Sequence, residues 1–187
     1  MSLIVAHDIQ LLFLCETFLH TDIKTSEVIQ GSCFKEIDRT DRNKGEHGGL
    51  LIVANPYYPA KFTDFSILKF SKFSLGCLVT CRSSCFMYVL IYNPPSGSPY
   101  REPYSLWVEC LQAYISEFQT HCLLNGIQYF SDNVHFVGDF NFPGINWKTL
   151  KGSTSHENEF IVFLLDLHVT QLVTERTHVN GNTLDLV

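Results

Sequence analysis

Five polar side chains stand where apolar runs end or are interrupted: Glu16, Tyr92, Asp139, Asn141 and Asp185. QLLFLC (Gln10–Cys15) runs into Glu16, CFMYVLI (Cys85–Ile91) into Tyr92, and VHFVG (Val134–Gly138) into Asp139 and, two residues on, Asn141. TLDLV (Thr183–Val187) carries Asp185 between two leucines. An ionised carboxylate beside buried neighbours is costly unless a cation, a hydrogen bond or a shifted pKa compensates it. A hard divalent ion such as Mg²⁺ suits an inventory of carboxylate, amide and phenol oxygens, and it keeps waters that a substrate can use. Each residue also has a plainer reading. Gly-Asp is common turn chemistry, Tyr92 can pack as a strand-end aromatic, and Asp185 can be a buried acid satisfied by backbone.

The elements that must position these groups are short apolar runs separated by turn signals. Strands are expected at Gln10–Cys15, Gly49–Ala54, Phe65–Phe70, Cys85–Tyr92, Val134–Gly138 and Thr183–Val187, the fourth halted by Asn93-Pro94-Pro95. One helix is expected in REPYSLWVECLQAYISEFQT, where Leu106, Cys110, Tyr114 and Phe118 recur every fourth residue. A second is expected in HENEFIVFLLDLH, with Ser155 as cap and Glu157 and Glu159 in its first turn. Strands with helices between them point to sheets covered by helices. Connections too short for a helical crossover mean that a purely parallel sheet is not required.

The chain has 187 residues, 45% hydrophobic and 17% charged, which describes one globular domain. Its net charge of −6 gives no global attraction to nucleic acid, so a polyanion would have to be drawn by a local site or a metal. The seven cysteines form no zinc-type close pairs. Cys77, Cys81 and Cys85, four apart, are expected as buried free thiols on one face of an extended segment, which suggests a reducing, intracellular setting. No basic region precedes the first apolar run, and the stretch Ile9–Leu14 is far too short to span a membrane.

Taken together, CETFL (Cys15–Leu19), HGGLLIV (His47–Val53), YNPPSG (Tyr92–Gly97), VGDFNFPGINW (Val137–Trp147) and GNTLDLV (Gly181–Val187) resemble the endonuclease/exonuclease/phosphatase superfamily. Within it they are most similar to the endonuclease domain of non-LTR (LINE-type) retrotransposons. The resemblance implies an α/β fold, a four-layered sandwich of two mixed β-sheets flanked by helices, across residues 1–187 as a single domain. It also implies phosphodiester hydrolysis with Mg²⁺ or Mn²⁺, with DNA as the substrate to be nicked and a reverse transcriptase fused in the parent element. Glu16 would then be a metal ligand. Asp139 would position or deprotonate water, and Asn141 would orient Asp139 and touch the phosphate. Tyr92 would contact the phosphate or assist the leaving group, and Asp185 would orient a catalytic histidine. A phosphatase or phospholipase-type activity is the lesser alternative within the same superfamily. A nuclear location would follow only from the substrate.

Two elements of the family pattern are not in the sequence. The family opens on a strand carrying an asparagine at the metal site, but none of the fifteen residues before Glu16 is asparagine. The family closes with Ser-Asp-His, and the sequence ends at Val187. The expectation is therefore a domain incomplete at both ends, with weak or absent catalysis: a catalytically dead remnant is the alternative to a working nuclease. Neither His47, His135 nor His178 stands in a Ser-Asp-His context.

Overall fold

The computed structural model describes residues 9–29, 34–41, 48–173, 175–178 and 183–186. His47, Gly181, Asn182 and Val187, four of the residues that carry the resemblance, lie outside them, as does Cys33. Among the described residues, eight strands form two sheets. The smaller has the order β1–β3–β2, from β1 (Leu11–Cys15), β2 (Lys35–Thr40) and β3 (Leu50–Ala54), antiparallel in both pairings. The larger has the order β4–β5–β6–β7–β8, from β4 (Lys61–Asp64), β5 (Ser74–Cys81), β6 (Ser84–Tyr92), β7 (Val134–Asp139) and β8 (Asp185–Leu186). It is mixed, because β6 and β7 run parallel while its other pairs are antiparallel. The parallel pair is the one joined through the long helix α2 (Tyr104–Leu124), as a parallel crossover requires.

Three apolar layers hold the sandwich. Leu50 and Ile52 of β3 meet Leu75, Cys77, Leu90, Tyr92 and Val137 between the sheets. The opposite face of β3, Leu51 and Val53, is covered by Leu19, Ile23 and Ile29 around the short helix α1 (Thr25–Val28). All five residues of β3 are buried, which explains its unbroken LLIVA run. The outer face of the larger sheet, Met87, Val89, Ile91 and Phe136, carries α2 and α3 (Ser155–Asp166) through Trp107, Tyr114, Phe118, Phe160 and Ile161. Helix, sheet, sheet and helix are thus the four layers expected from the sequence.

Several local expectations change. Phe65–Phe70 is not a strand: its last three residues form a 3-10 turn ending in buried Phe70. β2 and β4, which lack a strong apolar run, were not foreseen, and β5 was expected only as part of the extended segment through Cys77, Cys81 and Cys85. Cys77, Cys81 and Cys85 do not share a face. Arg82, at φ 55°, turns the chain, so Cys85 pairs with Thr80 and enters the helix-covered core, whereas Cys77 lies between the sheets. Cys81 is only partly buried, and all three thiols are free.

The cap of α3 is Thr154 rather than Ser155. Thr154 Oγ1 accepts from Glu157 N, and the Glu157 carboxylate reaches back to Thr154 N at 2.9 Å, a reciprocal capping box. The same carboxylate, 6% exposed, also accepts from Gly144 N at 2.7 Å and Ser153 N at 2.9 Å. It therefore ties the loop after β7 to the start of α3. Glu157→Ala would strand these N–H groups and remove the cap, and is expected to cost about 2–4 kcal/mol. Urea unfolding of the variant beside wild type measures it.

Candidate active site

The cluster sits where β1, β6 and β7 end. Tyr92, Asp139 and Asp185 lie side by side in register across β6, β7 and β8. Facing residues of neighbouring strands project from the same side of a sheet, and Tyr92 belongs to the layer between the sheets. β1, in the opposite sheet, ends at Cys15 and delivers Glu16 to the same edge. Glu16 takes φ 52°, a conformation that few non-glycine residues adopt. The turn is held by Thr17 N and Phe18 N, which donate to Gly49 O and Gly48 O at 3.2 and 3.0 Å. A Cβ on Gly49 would stand 2.5 Å from Thr17 Oγ1, so the glycine pair read in the sequence is a seat for the Glu16 turn.

Across the gap between the sheets, Tyr92 Oη donates to Glu16 Oε1 at 2.5 Å. Burial, with this bond and the Glu16 charge, raises the phenol well above its ordinary range. On β7, Asn141 holds Asp139 twice, through Asn141 N to Oδ1 at 3.0 Å and Asn141 Nδ2 to Oδ2 at 2.8 Å. The second amide hydrogen of Asn141 goes to Asn93 O at 2.9 Å. Both amide donors are therefore committed, and Oδ1 is the polar atom of that side chain without a partner among the described residues. Asn141 itself has φ 48°. Strained non-glycine residues concentrate where structure is held for function.

The carboxyl of Asp139 is pushed up to about 6, first by burial and then by the charges of Asp185 and Glu16, against the lowering effect of its bonds from Asn141. Glu16 and Asp185 are themselves exposed. The plainer reading of Asp185 as a buried acid fails. Its carboxylate meets water, and it is its backbone N–H that reaches Thr177 Oγ1 at 3.2 Å. All five residues singled out in the sequence are thus brought to one edge of the sandwich.

Two further residues belong here. Asn93 is 1% exposed and joins the ends of β6 and β7: its N–H donates to Asp139 O at 2.8 Å and Nδ2 to Phe140 O at 2.7 Å. Its Oδ1 is buried without a hydrogen-bond partner among the described residues. In the sequence it looked like the polar start of a proline stop. Cys15 forms the wall beneath Asp139. Its thiol donates to Ile91 O at 3.4 Å and is pushed up to about 12 by burial and then by the surrounding acids.

Four of the described histidines are engaged elsewhere. His135 stacks on Tyr88 at 4.6 Å, His121 meets Phe65 edge-on, His156 lies over Tyr104, and His20 pairs with Asp22. His135 does alternate with Phe136, which enters the helix-covered core. No group of three or more His, Cys, Asp or Glu side chains converges as a metal cage among the described residues. A site with one or two carboxylates, completed by water and substrate oxygens, is the usual arrangement for Mg²⁺. The donor set fits that pattern: an exposed Glu16 carboxylate fixed through one oxygen, and mutually repelling acids around Asp139 that a cation would relieve.

The same architecture occurs in solved nucleases. The endonuclease domain of TRAS1, a telomere-specific non-LTR retrotransposon, superposes with a TM-score of 0.67 at 12% identity, over 98% of this chain and 73% of that one. The chain has the endonuclease/exonuclease/phosphatase fold. A 3'-5' exonuclease from Neisseria meningitidis shares it with a TM-score of 0.60 at 14% identity, and an AP endonuclease from Archaeoglobus fulgidus with 0.60 at 11%. Each is matched over 98% of this chain and 77% of its own length. No protein-family model and no curated protein matches the sequence.

Proposed function

We propose that this chain is a nuclease domain of the retrotransposon endonuclease type, hydrolysing DNA phosphodiesters with a divalent metal. The observation that carries the reading is the double clamp of Asn141 on Asp139, set beside a Glu16 fixed by Tyr92. A carboxyl near 6 is ionised at neutral pH yet basic enough to take a proton from an attacking water, the match that general-base catalysis needs. Asn141 fixes the direction in which that carboxylate points, and its committed amide hydrogens favour this orienting role over donation to the phosphate. Tyr92 holds Glu16 in place from across the sandwich. Glu16 would hold Mg²⁺ or Mn²⁺, which when bound supplies positive charge to the phosphate oxygens. The neighbours named above are nucleases, which supports the reaction class, and the Neisseria enzyme is also solved, described as a 3' phosphatase, bound to a product DNA hairpin, which supports DNA as the substrate.

The alternative is a domain that keeps the fold without turnover. His20, His121, His135 and His156 pack against partners other than Asp185, so none of them is the histidine that Asp185 would orient. Supercoiled plasmid separates the readings. Conversion to the nicked circle in Mg²⁺, abolished by EDTA, is the expected result. A plasmid left as supercoiled as in the EDTA control sinks catalysis by this chain and leaves the alternative.

A further inference from the structure

A cavity of about 340 Å³ is lined by Ser96, Ser98, Arg101, Trp107, His156 and Phe142, the residue that follows Asn141, among others. Arg101 is its distinctive member. It is half-buried, and its guanidinium lies 5.5 Å above the ring centroid of Phe142, one residue beyond Asn141. One arm, Nη1, donates to Pro94 O at 2.8 Å, one residue beyond Asn93. The cation is therefore anchored on both loops that leave the site, the one after β6 and the one after β7. It forms no ion pair among the described residues, not even with its sequence neighbour Glu102. The acid that acts on it at a distance, Glu157, already has its oxygens bound to Gly144, Ser153 and Thr154.

A guanidinium held partly out of water without a carboxylate is costly, and the donors it leaves unused call for an acceptor. Other donors converge on the same space. α2 starts at the cavity, its cap is Pro103 with no side-chain capping bond, and its first turn has no acidic residue. The Tyr104 and Ser105 N–H groups, which begin this 21-residue helix, have no acceptor among the described residues. Trp107 Nε1 is likewise without one. Arginine, a helix start and hydroxyls together match a phosphate, which accepts through several oxygens at once.

We propose that Arg101 and the start of α2 form a second phosphate subsite, which takes a backbone phosphate of the DNA strand beside the one that is cut. The inference rests on the nuclease reading for the identity of the ligand, and it answers a problem of charge. A chain of net charge −6 with acids gathered at its catalytic edge repels a polyanion, and Arg101 is the cation fixed to both catalytic loops.

The test is DNA binding by the full chain as a function of salt, with a labelled duplex and Ca²⁺ in place of Mg²⁺. Loss of one phosphate contact is expected to flatten the slope of log K against log salt by about 0.9 in Arg101→Gln, with affinity falling severalfold at low salt. Arg101→Lys, which keeps the charge, is expected to keep the slope. A single uncharged methylphosphonate linkage, moved along the strand, is expected to find one position where wild type and Arg101→Lys both weaken and Arg101→Gln does not. An unchanged slope in Arg101→Gln overturns the proposal, as does a methylphosphonate scan of Arg101→Lys that is flat beside the cut. Wild type that fails to bind duplex also overturns it. If wild type binds with the expected slopes and yet never nicks plasmid, the subsite stands and the catalytic reading fails.

Discussion

Asp139→Asn is expected to lower Mg²⁺-dependent nicking by about 10²–10⁴-fold, the usual contribution of a positioned general base. The fold should survive the change. Burial and the Glu16 and Asp185 charges raise the Asp139 carboxyl from 3.8 to about 6, so its ionised form is disfavoured in the folded chain. A group raised in this way lends the folded state most stability below its unfolded value, and that contribution is lost as pH rises through the folded value. At pH 8 wild type therefore carries the full penalty of an ionised Asp139. The amide variant escapes it, while placing a donor against Asn141 Nδ2. The expected outcome is a thermal midpoint at pH 8 little changed from wild type, with activity lost. The wild-type rate should fall as pH drops, with a midpoint no higher than about 6, because a bound cation favours the carboxylate. A rate that rises as pH drops below 6, or an Asp139→Asn variant that nicks like wild type, would show that Asp139 is not the base.

The legible part of this site was the part written as contrast. Glu16, Tyr92, Asp139 and Asp185 each broke an apolar run, and the ends of such runs become strand ends that meet at one edge. Asn141 was legible through its neighbours Gly138 and Asp139. Asn93 was not, because an asparagine before two prolines reads as a stop, and only the register of β6 on β7 turns it into the bridge between their loops. Arg101 was invisible for a related reason. A lone arginine in a Ser-Pro-rich loop looks solvated until the fold lays it over Phe142 and Pro94. At the level of elements, runs buried on both faces, such as β3 and most of β6, announced themselves. β2 and β4 did not, because partly exposed strands such as KEIDRT and KFTD gain their conformation from the strand beside them rather than from their own pattern.

Gly138→Ala is the change expected to harm fold and site together. Gly138 has φ 130°, a conformation that L residues rarely adopt, and a Cβ there would stand 2.0 Å from Ile91 O. That oxygen is backbone of β6, so the clash cannot be relieved by a rotamer. β7 would have to lift away from β6 at the step before Tyr92 meets Asp139. Ile91 O is also the acceptor of the Cys15 thiol, so the disturbance reaches the end of β1 and Glu16 beyond it. Backbone strain of about 1–2 kcal/mol and overpacking of about 1–3 kcal/mol place the expected loss near 2–5 kcal/mol. The urea midpoint should fall accordingly with its slope unchanged. Nicking should fall beyond what the unfolded fraction explains, because the pairing of Tyr92 with Asp139 depends on that close approach. If Gly138→Ala instead unfolds and nicks like wild type, the glycine of the GDFN motif serves only as a turn residue, and the tight β6–β7 register is not what sets the site.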